Sequence, residues 1–95
     1  MNREDVRLRI LQVLKKQPAY TAHQEALIVE LKKRGTVINR DQLHIELAWL
    51  DKNAECVVEQ LVGGVHIATL TGIGLEVVEG VQDVAGICKP RPEEL

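Results

Sequence analysis

Read for the spacing of its apolar positions, the chain divides into a helical first half and a β-patterned stretch after residue 53. In "VRLRILQVLKKQ", Val6, Ile10, Val13 and Leu14 recur at the three-to-four-residue spacing of one helix face; Asn2-x-x-Asp5 offers an N-terminal cap, and Pro18 cannot continue the ladder. Thr21-x-x-Gln24 has the form of a capping box and predicts a second helix with Leu27, Ile28 and Leu31 on one face. Lys32, Lys33 and Arg34 then stand at the negative end of that helix, and Gly35 can take the left-handed residue that closes it. "TVI" leaves room only for a turn or a very short strand. Asn39-x-x-Gln42 repeats the capping pattern and opens a third helix over residues 40–53, with Leu43, Leu47 and Leu50 as its inward seam.

Beyond residue 53 the period becomes that of a strand. "CVVEQLVGGVHIATL" holds two β-branched runs, 56–61 and 65–70, joined by Gly63-Gly64, which suit a tight hairpin. Thr71 predicts a last helix carrying Leu75 and Val78 as far as Gly80, against the propensity cost of Gly72 and Gly74. Residues 81–95 mix a few apolar positions with two prolines and an acidic end, and read as an extended tail, docked on a neighbour or disordered. The expected architecture is mainly α with a β-hairpin. It is a winged helix–turn–helix over residues 1–80, with a three-helix core, a two-stranded wing and a C-terminal helix, followed by the tail 81–95.

Composition narrows the function more than the fold. Ninety-five residues support one core, and with no Phe, one Trp and one Tyr it must be built from Leu, Ile, Val and Ala. No apolar run approaches the roughly 18 residues needed to cross a bilayer, and "MNREDVRLR" lacks the apolar segment of a signal peptide, so a cytoplasmic protein without membrane contact is expected. Cys56 and Cys88 are too few for a disulfide framework, and neither has the basic surroundings that would make it reactive. His23, His44 and His66 lie on three different elements with no ligand partner at helical spacing, and no glycine-rich phosphate loop precedes a helix. The expectation is no catalytic residue, no metal, no cofactor and no small-molecule effector.

Net charge is −2, unevenly spread. Residues 1–53 carry ten Lys/Arg against seven Asp/Glu, and residues 54–95 two against seven, so any nucleic-acid surface belongs to the first half. In a helix–turn–helix the first turn of the third helix enters the major groove, which nominates Asn39, Arg40, Gln42 and His44, beside Asp41. Arg can read guanine and Gln adenine through paired hydrogen bonds, although Asn39 and Gln42 also serve as caps. Lys32, Lys33 and Arg34, with Arg3, Arg7, Lys15 and Lys16, could hold phosphates, or be ordinary solvated residues. Against this stand Glu46 and Asp51 on the same helix, which would repel a phosphate, and a wing tip, "VGGV", without a cation.

The segment "INRDQLHIELAWLDKNAECVVEQLVGGVHIATLTGIGLEVVEG" resembles small winged-helix proteins encoded by Mu-like prophages, of the kind described as ArsR-type regulators, and "MNREDVRLRILQVLKKQPAY" is similar to their N-terminus. "ELAWL", "GGVHIATLT" and Thr71-x-x-Gly74 carry most of the likeness. The resemblance implies the winged-helix fold and transcriptional regulation through double-stranded DNA. Ala54 stands where a glycine usually ends the recognition helix, and the closely spaced thiolates of metal-sensing ArsR proteins are absent.

Two sets of apolar residues lie off the main seams. Ile45 and Trp49 are neighbours on the third helix, away from Leu43, Leu47 and Leu50. They could pack under the hairpin or first helix, press on a second subunit, or stack on nucleic acid. Leu8 and Leu11 stand off the first helix's seam and, with Val81, Val84 and Ile87, suggest a homodimer through that helix and the tail. A protein-interaction module that uses the same fold without DNA is the alternative reading.

Overall fold

The computed structural model describes residues 2–95. Four helices, α1 (Arg3–Lys15), α2 (Gln24–Lys33), α3 (Arg40–Lys52) and α4 (Gly72–Val78), pack against an antiparallel sheet of β1 (Thr21–His23), β2 (Val57–Val62) and β3 (Val65–Leu70) in the order β1-β3-β2. A single 3-10 turn, Pro18–Tyr20, links α1 to β1, and another, Pro92–Glu94, ends the chain. No helix among the described residues is long and apolar enough to cross a membrane.

The α1 helix is the central rod, and this corrects the expectation drawn from one seam. Val6, Leu8, Ile10, Leu11, Val13 and Leu14 are all buried, and so are the polar Arg7 and Gln12. A helix apolar on more than one face must be enclosed. Leu8 and Leu11, expected at a subunit interface, are therefore core residues of their own chain, 2% and 0% exposed, and cannot meet a partner. The tail closes over the same helix. Ile87 is buried, Val84 packs on the core, and the Cys88 amide donates to the Glu4 carbonyl at 3.2 Å.

The second correction concerns Thr21-x-x-Gln24. Thr21 does not cap a helix but pairs with Thr69 in the sheet, its hydroxyl 2.9 Å from that of Thr69, and so the hairpin gains a third strand. The cap of α2 falls to His23, whose Nδ1 accepts from the Ala26 amide at 3.3 Å. At the other end Gly35, with φ +87°, lets its own amide reach the Lys32 carbonyl and the Thr36 amide reach that of Leu31.

The α3 helix begins as its capping pattern predicts: Asn39 accepts from the Gln42 amide at 2.8 Å and Gln42 accepts from the Asn39 amide at 2.9 Å. Leu43, Leu47 and Leu50 are completely buried, each contributing about 1.5–3 kcal/mol by leaving water. Without a glycine at position 54, the left-handed residue after this helix is Glu55, φ +55°, and the Cys56 amide returns to the Leu50 carbonyl at 2.9 Å. Cys56 is enclosed, its Sγ 3.6 Å from the Ala54 carbonyl, and burial pushes its thiol up to about 11. Burial, with Asp5 and Glu4 nearby, raises Cys88 as well.

The two glycines of α4 have different reasons. A Cβ on Gly74 would run into the Cys56 carbonyl oxygen and the Leu70 side chain, whereas one on Gly72 would meet nothing within 4 Å. Gly74→Ala should therefore destabilise the protein by about 1–3 kcal/mol through overpacking. Gly72→Ala should be neutral or stabilise by up to about 1 kcal/mol through helix propensity. Chemical-denaturation midpoints of the two variants check this contrast.

Candidate functional site

The face that carries the first turn of α3 is built on a buried ion cluster beneath it. Glu46, 5% exposed, points away from solvent toward α1, where Arg3 Nε donates to Oε2 and Arg7 Nε to Oε1, both at 2.8 Å. Arg7 is itself buried. Its guanidinium lies 3.8 Å from the ring centroid of Trp49, and its terminal nitrogen donates to the Gly86 carbonyl at 2.9 Å. Trp49 thus packs within its own chain, under Arg7 and against Gly86, where an added Cβ would lie 2.6 Å from the indole. This gives Trp49 intrachain packing, the first of its three possible placements, and leaves it half-buried. The second acid of α3 is also occupied by its own chain: Asp51 Oδ2 accepts from the Glu59 amide at 3.0 Å.

Above this cluster α3, α2 and the hairpin meet at one joint. The His44 and His66 rings are stacked, centroids 3.7 Å apart and 22° from parallel. Gln24, 8% exposed, serves both elements: its Oε1 accepts from the His66 amide at 3.2 Å and lies 2.9 Å from His44 Nε2. A backbone N–H can only donate, so this atom is the amide oxygen, and His44 Nε2 must be the protonated nitrogen. His66 Nδ1 faces the Glu59 carboxylate at 2.8 Å and donates to it. His44, expected to reach bases, is instead held in this joint. Gln24, His66 and Glu59 were not nominated from the sequence. Nothing in the spacing of residues 24, 44, 59 and 66 foretells that a helix start, a helix middle and two strands converge.

The remaining predicted residues fall into two groups. Asn39, Arg40 and Gln42 are exposed on the first turn of α3 beside Asp41. Asn39 and Gln42 are engaged in their mutual cap, whereas Arg40 reaches across to α2, its Nε donating to Glu25 Oε1 at 2.6 Å with 62% of its side chain exposed. That hydrogen bond is the main reason the Glu25 carboxyl lies below its ordinary value. Any stability from the contact is therefore present above the unfolded carboxylate value and lost as pH falls through the folded one. Lys32, Lys33 and Arg34 are also exposed, but at the other end of α2, about 15 Å along the helix. Arg34 shares a cleft of about 200 Å³ with Lys15, Lys16 and Glu94, so the structure does not gather these cations around the first turn of α3. Ile45 remains 56% exposed, in a groove of about 620 Å³ bounded by Arg3, Val6, Val37, Ile38 and Gln42. No three His, Cys, Asp or Glu among the described residues stand close enough to hold a metal ion.

Neither a family model nor a solved structure matches the chain. Over 90 residues it is 34% identical to a protein of Escherichia phage Mu named uncharacterized protein gp26, an alignment covering 94% of this chain and 91% of the Mu protein. The chain belongs to the family of phage Mu gp26. The match spans nearly the whole of both proteins.

In this gp26-family protein, Glu46→Ala should cost about 3–5 kcal/mol, because Arg7 would be left charged in a dry site. Arg7→Met combined with Glu46→Leu should recover most of that loss, since apolar side chains of similar volume replace a buried pair at little cost. Thermal melts of the single and double variants test the pair. Gln24→Ala should lower stability by about 1–3 kcal/mol by leaving the His66 amide unsatisfied, read in the same melts.

Proposed function

We infer that this gp26-family protein is a winged helix–turn–helix regulator that binds double-stranded DNA through the first turn of α3. What carries this reading is the disposal of charge on that helix. Glu46 is neutralised inside the subunit and Asp51 caps a strand, so of the three acids of α3 only Asp41, beside Arg40, faces solvent at the first turn. The first turn stays open to solvent, and the stacked histidines fix the hairpin against α3. Within that turn the reading residue is Arg40, because the amides of Asn39 and Gln42 are engaged in the cap. A guanidinium released from Glu25 can donate to both acceptors of a guanine edge.

Duplex selection from a random pool, followed by anisotropy titrations on the selected site, tests the proposal. Arg40→Ala should weaken binding by about tenfold or more, in keeping with the loss of one bidentate base contact. Glu25→Gln should strengthen it a few-fold, because it frees Arg40 and removes a negative charge from the same face. Binding should fall steeply as salt rises. A pool that yields no bound duplex even at low salt, from protein with native melting behaviour, rejects the reading.

One observation favours a second reading, a protein-interaction module on the same fold. Ile45 and Val37, 56% and 78% exposed, place two apolar side chains in a mixed groove beside α3, a surface that suits a protein side chain better than a phosphate. On that reading Ile45→Asp would abolish capture of a partner and Arg40→Ala would leave it intact.

A further inference from the structure

The sheet has one face against the helices and one that nothing covers. Val57, Ala68, Leu70 and Ala22 point inward and are buried. By alternation the opposite face presents Val58, Gln60 and Val62 from β2 and Val65, Ile67 and Thr69 from β3. Across β3 the register adds Thr21 and His23 of β1. Val58, Val62 and Val65 are 49%, 56% and 38% exposed. The chain is 27% Asp, Glu, Lys and Arg, yet none of these stands on this face. The one acid of β2, Glu59, is turned to the inner side and engaged by His66.

We propose that this uncharged outer face of the sheet is where two copies of the protein associate. A two-fold contact sets the same patch against itself, so any charged residue near the axis faces its own like; a patch with no charge at all meets that condition. The mode of contact follows from Asp51. β2 is an edge strand, and its outward Glu59 amide, which an added strand would use, is already taken by the Asp51 carboxylate. The β2 edge is therefore not extended by a second copy, and association occurs face to face, through side chains. The wing tip has no cation to place in a DNA groove, so covering the hairpin sacrifices no phosphate contact. A net charge of −2 per chain opposes pairing only weakly. The inference holds whether or not DNA is the ligand.

Sedimentation equilibrium of the full chain over a wide concentration range tests it. The wild-type protein should dimerise, and Val58→Glu and Val62→Glu should each weaken the dimer by about 100-fold or more, since each buries an unpaired, self-repelling charge. Both positions are exposed in the single chain, so at concentrations where the wild type is monomeric the melting temperatures should remain close to its own. Ile45→Glu, on the separate groove, should leave the dimer intact. A wild-type protein that stays monomeric throughout, or a dimer that survives both valine substitutions or is lost with Ile45→Glu, overturns the proposal. Arg40→Ala should alter DNA binding without altering the mass, so the two readings fail independently.

Discussion

Glu46 lies in the middle of α3 with its carboxylate shut away from water, and a buried ion is tolerated only where opposite charge and hydrogen bonds replace its hydration. Arg3 and Arg7 supply both from α1, one to each oxygen. Arg7 is in turn held flat on Trp49 and tied to the Gly86 carbonyl. Through this one carboxylate the first helix, the third helix and the C-terminal tail become a single unit. An apolar contact could slide or rotate; two directional hydrogen bonds to a fixed carboxylate cannot, so the cluster sets how α3 is rolled on the core.

That roll decides what α3 presents outward. With Leu43, Leu47 and Leu50 buried and Glu46 locked to α1, the solvent side carries Arg40, Asp41 and Gln42 at the first turn, then Ile45, Ala48 and Lys52. The result is a nearly neutral surface with one well-exposed guanidinium. The histidine joint adds the hairpin to the same rigid unit, because Gln24 cannot satisfy both His44 and the His66 amide unless α2, α3 and β3 stand in one arrangement.

The positive charge of the first half is divided by the fold. Lys15, Lys16 and Arg34 line a cleft at the far ends of α1 and α2, with the acidic Glu94 of the tail beside them, while Arg40 stands at the near end of α2 against Glu25. Phosphate affinity grows with the number of cations that act together, and here they do not act from one surface. If DNA is the ligand, as proposed, a single subunit would bind it weakly, which gives the proposed pairing a physical reason.

Helix and strand boundaries were legible in the residues themselves, because caps, a helix-ending proline, glycine closures and apolar period act over a few positions. Asn39 with Gln42, Gly35, Gly63-Gly64 and Thr71 each stand where their local chemistry places them. The same local rules misassigned Thr21: a hydroxyl three residues before a glutamine suits a cap or a strand equally, and only the presence of Thr69 across the sheet chose the strand. Leu8 and Leu11 were misplaced for a similar reason, since periodicity marks a face as apolar but not whether the subunit itself or a partner covers it. Pairing Glu46 with Arg7, or stacking His44 on His66, joins positions 39 and 22 residues apart in the chain, over which no local signal persists. The sequence by itself determined the four helices, the hairpin, their order and the leucine seams, but not the strand Thr21–His23. The destinations of its buried charges and histidines were decided only by the tertiary structure, because the energy of an ion or a ring depends on what stands within a few ångströms of it.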